Sequence, residues 1–144
     1  MTTPTFETEH APRLGIRAEA LINEAFLRVI QTGSRAQIVV MTLPPDATMG
    51  TQHLPDTDRV FVVAEGLGEA RVGELEFGIQ PGDLVFVHAG TPHEIVNRAV
   101  APLRLVTVLA PPAYPAGAVL ETREAAQAGV AAPAGVAAPA ARAS

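Results

Sequence analysis

The stretch from His88 to Asn97 reads HAGTPHEIVN. His93 follows the turn signal AGTP and opens a short apolar run, HEIVN, that reads as a strand. An imidazole placed there can bind a metal, move a proton near neutral pH, or fill a structural position, and its partners decide which. A lone histidine is more often the structural kind. The chain has no cysteine, which excludes a thiolate metal site, a cysteine nucleophile and a disulfide scaffold. All ten cations are arginine, so lysine Schiff-base chemistry is excluded too. The other residues with suitable chemistry are His88 and a cluster in QHLPDTDR: Gln52, His53, Asp58 and Arg59. Glu94 follows His93 and, by strand alternation, points to the opposite face.

The elements that must position these residues are strands. AQIVVMTL, DRVFVVAEG, GEARVG, LEFGI, DLVFVHAG, HEIVN and LRLVTVLA are short and rich in Val, Ile, Leu and Phe. Turn signals such as LPPDA, EGLG, QPGD, AGTP and APP separate them, and this spacing predicts an all-β sandwich or barrel. Residues 17–30, RAEALINEAFLRVI, place Leu21, Ile22, Ala25, Phe26, Val29 and Ile30 on one stripe at 3–4 spacing. That predicts one or two short helical turns, with a break near Asn23. Many strands are apolar on both faces, so the outer face needs cover, and a homodimer is expected.

Length and composition bound the rest. At 144 residues a single domain is expected, spanning 14–127, after a flexible N-terminus at 1–13. From 128 the chain is Ala/Pro-rich and repeats GVAAPA; it has almost no charge, and residues 128–144 are expected to be a disordered tail. The net charge of −5 is mixed along the chain, with no basic stripe, which argues against nucleic acid as a partner. No apolar run approaches the roughly 20 residues that span a bilayer, and MTTPTFETEH lacks the marks of a signal peptide. A cytoplasmic protein without a membrane partner is the expectation.

The strand and turn pattern resembles the cupin superfamily. Its second motif has the form G-x5-P-x-G-x2-H-x3-N, and Gly82, Gly90, His93 and Asn97 stand at the required spacing, with His88 in place of the proline. Gly50 and Gly66 fit the ends of the first motif. The segment Gln-His-Leu-Pro-Asp-Thr-Asp-Arg-Val and its flanks resemble a group of small single-domain bacterial cupins, and the likeness covers roughly residues 23 to 125. It implies a cupin jelly-roll β-barrel, often dimeric, with a small-molecule pocket inside. It does not imply one reaction.

The resemblance also implies a metal site of three histidines and a Glu or Gln, suited to Mn, Fe, Ni, Cu or Zn. His93 matches the last histidine. Counting back from Gly66, the Glu/Gln position is Arg59, the second histidine position Leu54 and the first Gln52. In this register Arg59 opposes a dication. It becomes a pocket guanidinium favouring a carboxylate or phosphate, with Phe61 on the same wall and Gln52 and His88 near the ligand. A second register, shifted by a one-residue bulge between Asp58 and Gly66, would bring His53, Asp58 and His93 together as a facial triad. The first register predicts a small-molecule-binding cupin with a degenerate or weak metal site, in which His93 hydrogen-bonds or transfers a proton. The second predicts a metal-dependent enzyme, isomerase- or dioxygenase-like, holding Mn, Fe, Ni or Zn on His93 with His53 and Asp58 or Gln52.

Overall fold

A computed structural model describes residues 11–131 of the chain. The expectations for the first ten residues and for 132–144 lie outside the described residues. The order of elements is α1 (Ile16–Ile22), β1 (Leu27–Thr32), β2 (Gln37–Leu43), β3 (Asp58–Glu65), β4 (Gly68–Val72), β5 (Leu75–Ile79), β6 (Leu84–Val87), β7 (His93–Val96), β8 (Leu103–Ala110), β9 (Val119–Leu120) and α2 (Arg123–Ala131). The strands form two sheets, β6-β3-β8-β2-β1-β9 and β5-β4-β7, antiparallel throughout. Single bridges add Thr48 and Gln52 to the free side of β7. The two sheets face each other across one apolar core, the jelly roll that the resemblance implies.

Alternation puts one side of each strand in that core. In β8, Leu103, Leu105, Thr107 and Leu109 point inward, while Arg104, Val106 and Val108 point out. In β3 the inward set is Arg59, Phe61 and Val63. The strand carries a register shift between Val63 and Glu65, but pairing from Asp58 to Val63 against β8 is unbroken. A bulge therefore exists in the predicted stretch, yet lies too late to re-aim residues 58 and 59. Gly66 follows it at φ 98°, where a Cβ would come within 2.5 Å of the Pro102 carbonyl, so only glycine fits the turn.

Two elements differ from the sequence reading. The helical stripe does not continue to residue 30: α1 stops at Ile22 and Leu27–Thr32 is a strand. Asn23 ends the helix. Its side chain donates to the Ala25 carbonyl and the Thr42 hydroxyl and accepts from the Ala25 amide, which turns the chain. β1 is covered on both faces, so the consecutive residues Val29 and Ile30 are both buried, one in the core and one under α1; a bulge between Val29 and Gln31 interrupts its pairing with β2. That double burial imitates helical spacing. At the other end α2 reaches Ala131, past the expected domain end at 127. Its Ala126 is fully buried in the main core, so this helix belongs to the domain.

α1 covers part of the outer face of the larger sheet, where Ala20 packs on Ile30 and Val40. Further along the same face Leu84 and Phe86 of edge strand β6 remain exposed.

Candidate functional site

The site forms where the two sheets face each other. Gly90, at φ 87°, turns the chain into Thr91-Pro92 and delivers His93 as the first residue of β7. His93 and Gln52 exchange both backbone hydrogen bonds, at 2.9 and 2.8 Å. Residues paired in this way project their side chains to one face, and here that face is the barrel interior. Arg59 and Phe61 come from β3 on the opposing sheet. All four are buried, and Arg59 is 0% exposed.

The side chains converge on the Arg59 guanidinium. Nη1 donates to Gln52 Oε1 and lies 3.3 Å from His93 Nε2. Nη2 lies 3.7 Å from the Met41 sulfur. Cζ sits 4.8 Å from the Phe61 ring centroid, a cation–π contact. Among the described residues no carboxylate forms a salt bridge with it. Among the described residues, Arg59 Nε and the Tyr114 hydroxyl are both buried without a hydrogen-bond partner of normal geometry. Burial pulls the Arg59 pKa down, and the neighbouring Tyr114 hydroxyl partly opposes that. The guanidinium is thus a buried cation held by neutral acceptors only.

His93 is held neutral. Its pKa is pushed down to about 4, first by burial and then by the Arg59 charge, with a small further push from His53; its bond to the Thr91 carbonyl acts the other way. Nδ1 lies 2.9 Å from that carbonyl, so Nδ1 carries the proton and Nε2 presents its lone pair to Arg59. Because the folded pKa lies below the unfolded 6.5, the unfolded chain binds more protons between pH 6.5 and about 4. Stability therefore falls as pH drops through that window, by on the order of 3 kcal/mol for this residue. Urea unfolding of the wild type from pH 7 to 4 should show this loss, and His93→Asn should be flatter by most of it. An equally steep variant would mean that His93 does not titrate in this environment.

The other expected site residues are placed elsewhere. His53 is exposed. Asp58 is only partly buried, on the outward side of β3, where Oδ1 accepts from the Ala89 amide at 2.8 Å. His53, Asp58 and His93 therefore do not meet, and no group of three potential His, Asp or Glu ligands gathers anywhere among the described residues. The second register fails because the β3 bulge follows Val63. His88 is exposed with its ring 4.7 Å from that of Phe86, on the outer side of β6 and not in the interior. Glu94 points outward as expected, bonded to Thr48 and Arg71, and the Thr48 hydroxyl is first among the groups that hold its carboxyl low. Asn97 donates to the carbonyls of Leu43, Pro44 and Ala101, an entirely structural role.

Tyr114 and Gln37 escaped the sequence reading of the site. Gln37 is fully buried at the head of β2 and clamps the closing segment: Nε2 donates to the Tyr114 carbonyl, and Oε1 accepts from the Ala113 and Tyr114 amides. A lone glutamine opening an otherwise apolar strand was the available signal.

The comparisons with known proteins agree with this architecture. The family model described as "Cupin domain" matches residues 39–109. The BH2720 crystal structure from Bacillus halodurans is 31% identical, with a TM-score of 0.79, and the match covers 84% of this chain and 98% of that one. The uncharacterized protein YrkC of Bacillus subtilis (strain 168) is 30% identical over 107 residues, covering 70% of this chain. The match spans 58% of the length of YrkC. The uncharacterized protein L612 of Acanthamoeba polyphaga mimivirus is 29% identical over 110 residues, covering 74% of this chain and 69% of L612. The chain belongs to the cupin superfamily.

Cupins often bind a divalent ion at this place, and the residues here do not fit one. Of the four ligand positions, Gln52 and His93 offer acceptors, Leu54 offers none, and Arg59 brings a positive charge into the centre. A guanidinium at contact distance repels a dication by several kcal/mol even at an effective dielectric near 20.

Proposed function

We propose that this protein is a small-molecule-binding cupin in which the Arg59 guanidinium does the work of a metal ion, drawing an anionic ligand into the barrel. One observation carries the reading. A wholly buried cation is held by two neutral acceptors, with no anionic partner among the described residues. Isolated burial of a charge costs several kcal/mol, and proteins ordinarily offset it with a counter-charge. A ligand anion supplies that counter-charge. His93, neutral and fixed in one tautomer, then orients the guanidinium and can accept a proton from a ligand hydroxyl only weakly, which favours binding over acid–base chemistry.

The test is thermal melting of the full chain with small sodium salts at constant ionic strength. At least one anion is expected to raise Tm saturably, by the equivalent of about 2.7 kcal/mol at a hundredfold excess over Kd. Arg59→Gln should abolish the response. Indifference to every anion, together with a stoichiometric response to Mn, Fe, Ni or Zn, would replace this reading with the metal-dependent one.

A further inference from the structure

The free edge of Arg59 points to a more definite ligand. Resting on the reading of Arg59 as a built-in cation, we propose that the ligand is a monocarboxylate, held bidentately on the Nε/Nη2 edge of Arg59 with the Tyr114 hydroxyl donating to one of its oxygens. The five N–H groups of a guanidinium are not equivalent here. The two on Nη1 face Gln52 Oε1 and His93 Nε2 and are already used. Among the described residues Nε has no partner of normal geometry, and Nη2 has only the Met41 sulfur at 3.7 Å, a weak acceptor. Nε and Nη2 form the planar fork that matches the two oxygens of a carboxylate. The Tyr114 hydroxyl lies close enough to the guanidinium to raise its pKa, yet neither it nor Nε makes a hydrogen bond of normal geometry among the described residues. Two buried polar groups left unpaired side by side are rare in folded proteins and mark a place where a partner belongs.

The charge count selects among anions. The site supplies one positive charge, and its other polar neighbours, Gln52, His93 and Tyr114, are neutral donors or acceptors. A monoanion is matched, whereas a phosphate or sulfate dianion would leave a buried negative charge uncompensated. The contact of Arg59 with the Phe61 face, with Met41 beside Nη2 and Leu109 as its strand partner, suits an apolar substituent on the carboxylate rather than a sugar. Because Arg59 is wholly buried, a ligand reaches it only when a covering element opens. The cover over Tyr114 is α2, where Ala126 is buried and Gly129 lies against the Tyr114 ring, and Gln127 Nε2 ties it to the first-motif segment at the Met49 carbonyl, 3.3 Å away.

Tyr114 is the only tyrosine and the chain has no tryptophan, so the tyrosine emission of the whole protein reports this one site. The full chain is titrated with sodium acetate, propionate and benzoate, and with sodium chloride, sulfate and phosphate, at matched ionic strength. Calorimetry measures the affinities in parallel. Expected are a saturable emission change with the carboxylates and at least a tenfold preference for them over sulfate and phosphate. Tyr114→Phe should weaken carboxylate binding about tenfold, the worth of one hydrogen bond to a charged group. Arg59→Lys, which keeps the charge but loses the fork, should weaken it further, and circular dichroism checks that both variants fold. Equal or tighter binding of sulfate or phosphate overturns the monocarboxylate and leaves the built-in cation standing. Carboxylate binding untouched in Tyr114→Phe and Arg59→Lys overturns the proposed geometry. No binding of any anion overturns both readings.

Discussion

The double variant Arg59→Met with Gln52→Leu is expected to be about 2 kcal/mol more stable than the wild type and to bind no anion. The wild type buries a guanidinium that has no carboxylate partner among the described residues. The penalty for such a charge is several kcal/mol, and exchanging even fully paired buried ions for apolar residues often stabilises a protein by 1–4 kcal/mol. Methionine is two bonds shorter than arginine but similar in volume and flexible, so it can pack against Phe61, Met41 and Leu109 with a limited void. The Leu at position 52 removes the acceptor that methionine would strand. His93 Nε2 stays unpaired, which returns about 1–2 kcal/mol of the gain. For a domain of this size the remainder corresponds to a Tm rise of roughly 8 °C. Urea unfolding at pH 7 without added ligand measures it. A loss of more than about 1 kcal/mol would identify the guanidinium as a stabilising core group, and the ligand reading would lose its footing. The expected gain means that this barrel keeps Arg59 at the expense of stability, as a functional group is kept.

The sequence made the strands legible because each obeys local rules. β2 to β8 are short β-branched runs between glycine and proline signals, and no tertiary contact had to override them. β1 was obscured because both its faces are covered, so the consecutive residues Val29 and Ile30 are both buried and the period of two is masked. β9 has only two residues, too few for a pattern, and exists because β1 offers an edge to pair with. α2 was hidden by the alanine- and proline-rich composition of its neighbourhood, although Ala126 anchors it to the core.

Half of the site was readable for the same reason. Gln52, Leu54, Arg59 and His93 follow from counting motif positions, and the structure keeps that register because the β3 bulge comes after Val63. Counting could not decide between the two registers, since VFVVA is apolar on both parities. Tyr114 lies on an irregular segment 55 residues beyond Arg59 in sequence, brought back by the buried Gln37 clamp. No periodicity encodes such a contact. That the Nε/Nη2 edge meets only the Met41 sulfur among the described residues is likewise a three-dimensional fact, because it depends on what every neighbouring strand supplies.

If the guanidinium occupies the place of a metal ion, restoring ligand chemistry there should restore metal binding. Leu54→His combined with Arg59→Glu is expected to give a protein that Mn, Fe, Ni or Zn stabilises, where the wild type is expected to respond to none of them. Leu54 is buried and shares the inward parity of Gln52, so a side chain there already faces the interior. His93 needs no adjustment. Its Nδ1–H is bonded to the Thr91 carbonyl, so Nε2 is unprotonated and aimed at the Arg59 position, the arrangement of a metal-bound imidazole with its outer hydrogen bond in place. Without metal the double variant should be less stable than the wild type, because it gathers a carboxylate and imidazoles in a dry barrel. With an ion at a hundredfold excess over Kd the recovery is about 2.7 kcal/mol, or roughly 10 °C in Tm. A wild type that binds the same ions stoichiometrically would show that Arg59 does not hold the cation's place. A folded double variant that ignores all four ions would show that residues 52, 54, 59 and 93 do not converge on a common point. The single variant Arg59→Glu separates the two requirements. Removing the positive charge alone, with three donors available, should give weak binding that the added histidine then tightens, because the repulsion and the missing ligand are independent obstacles to the same ion.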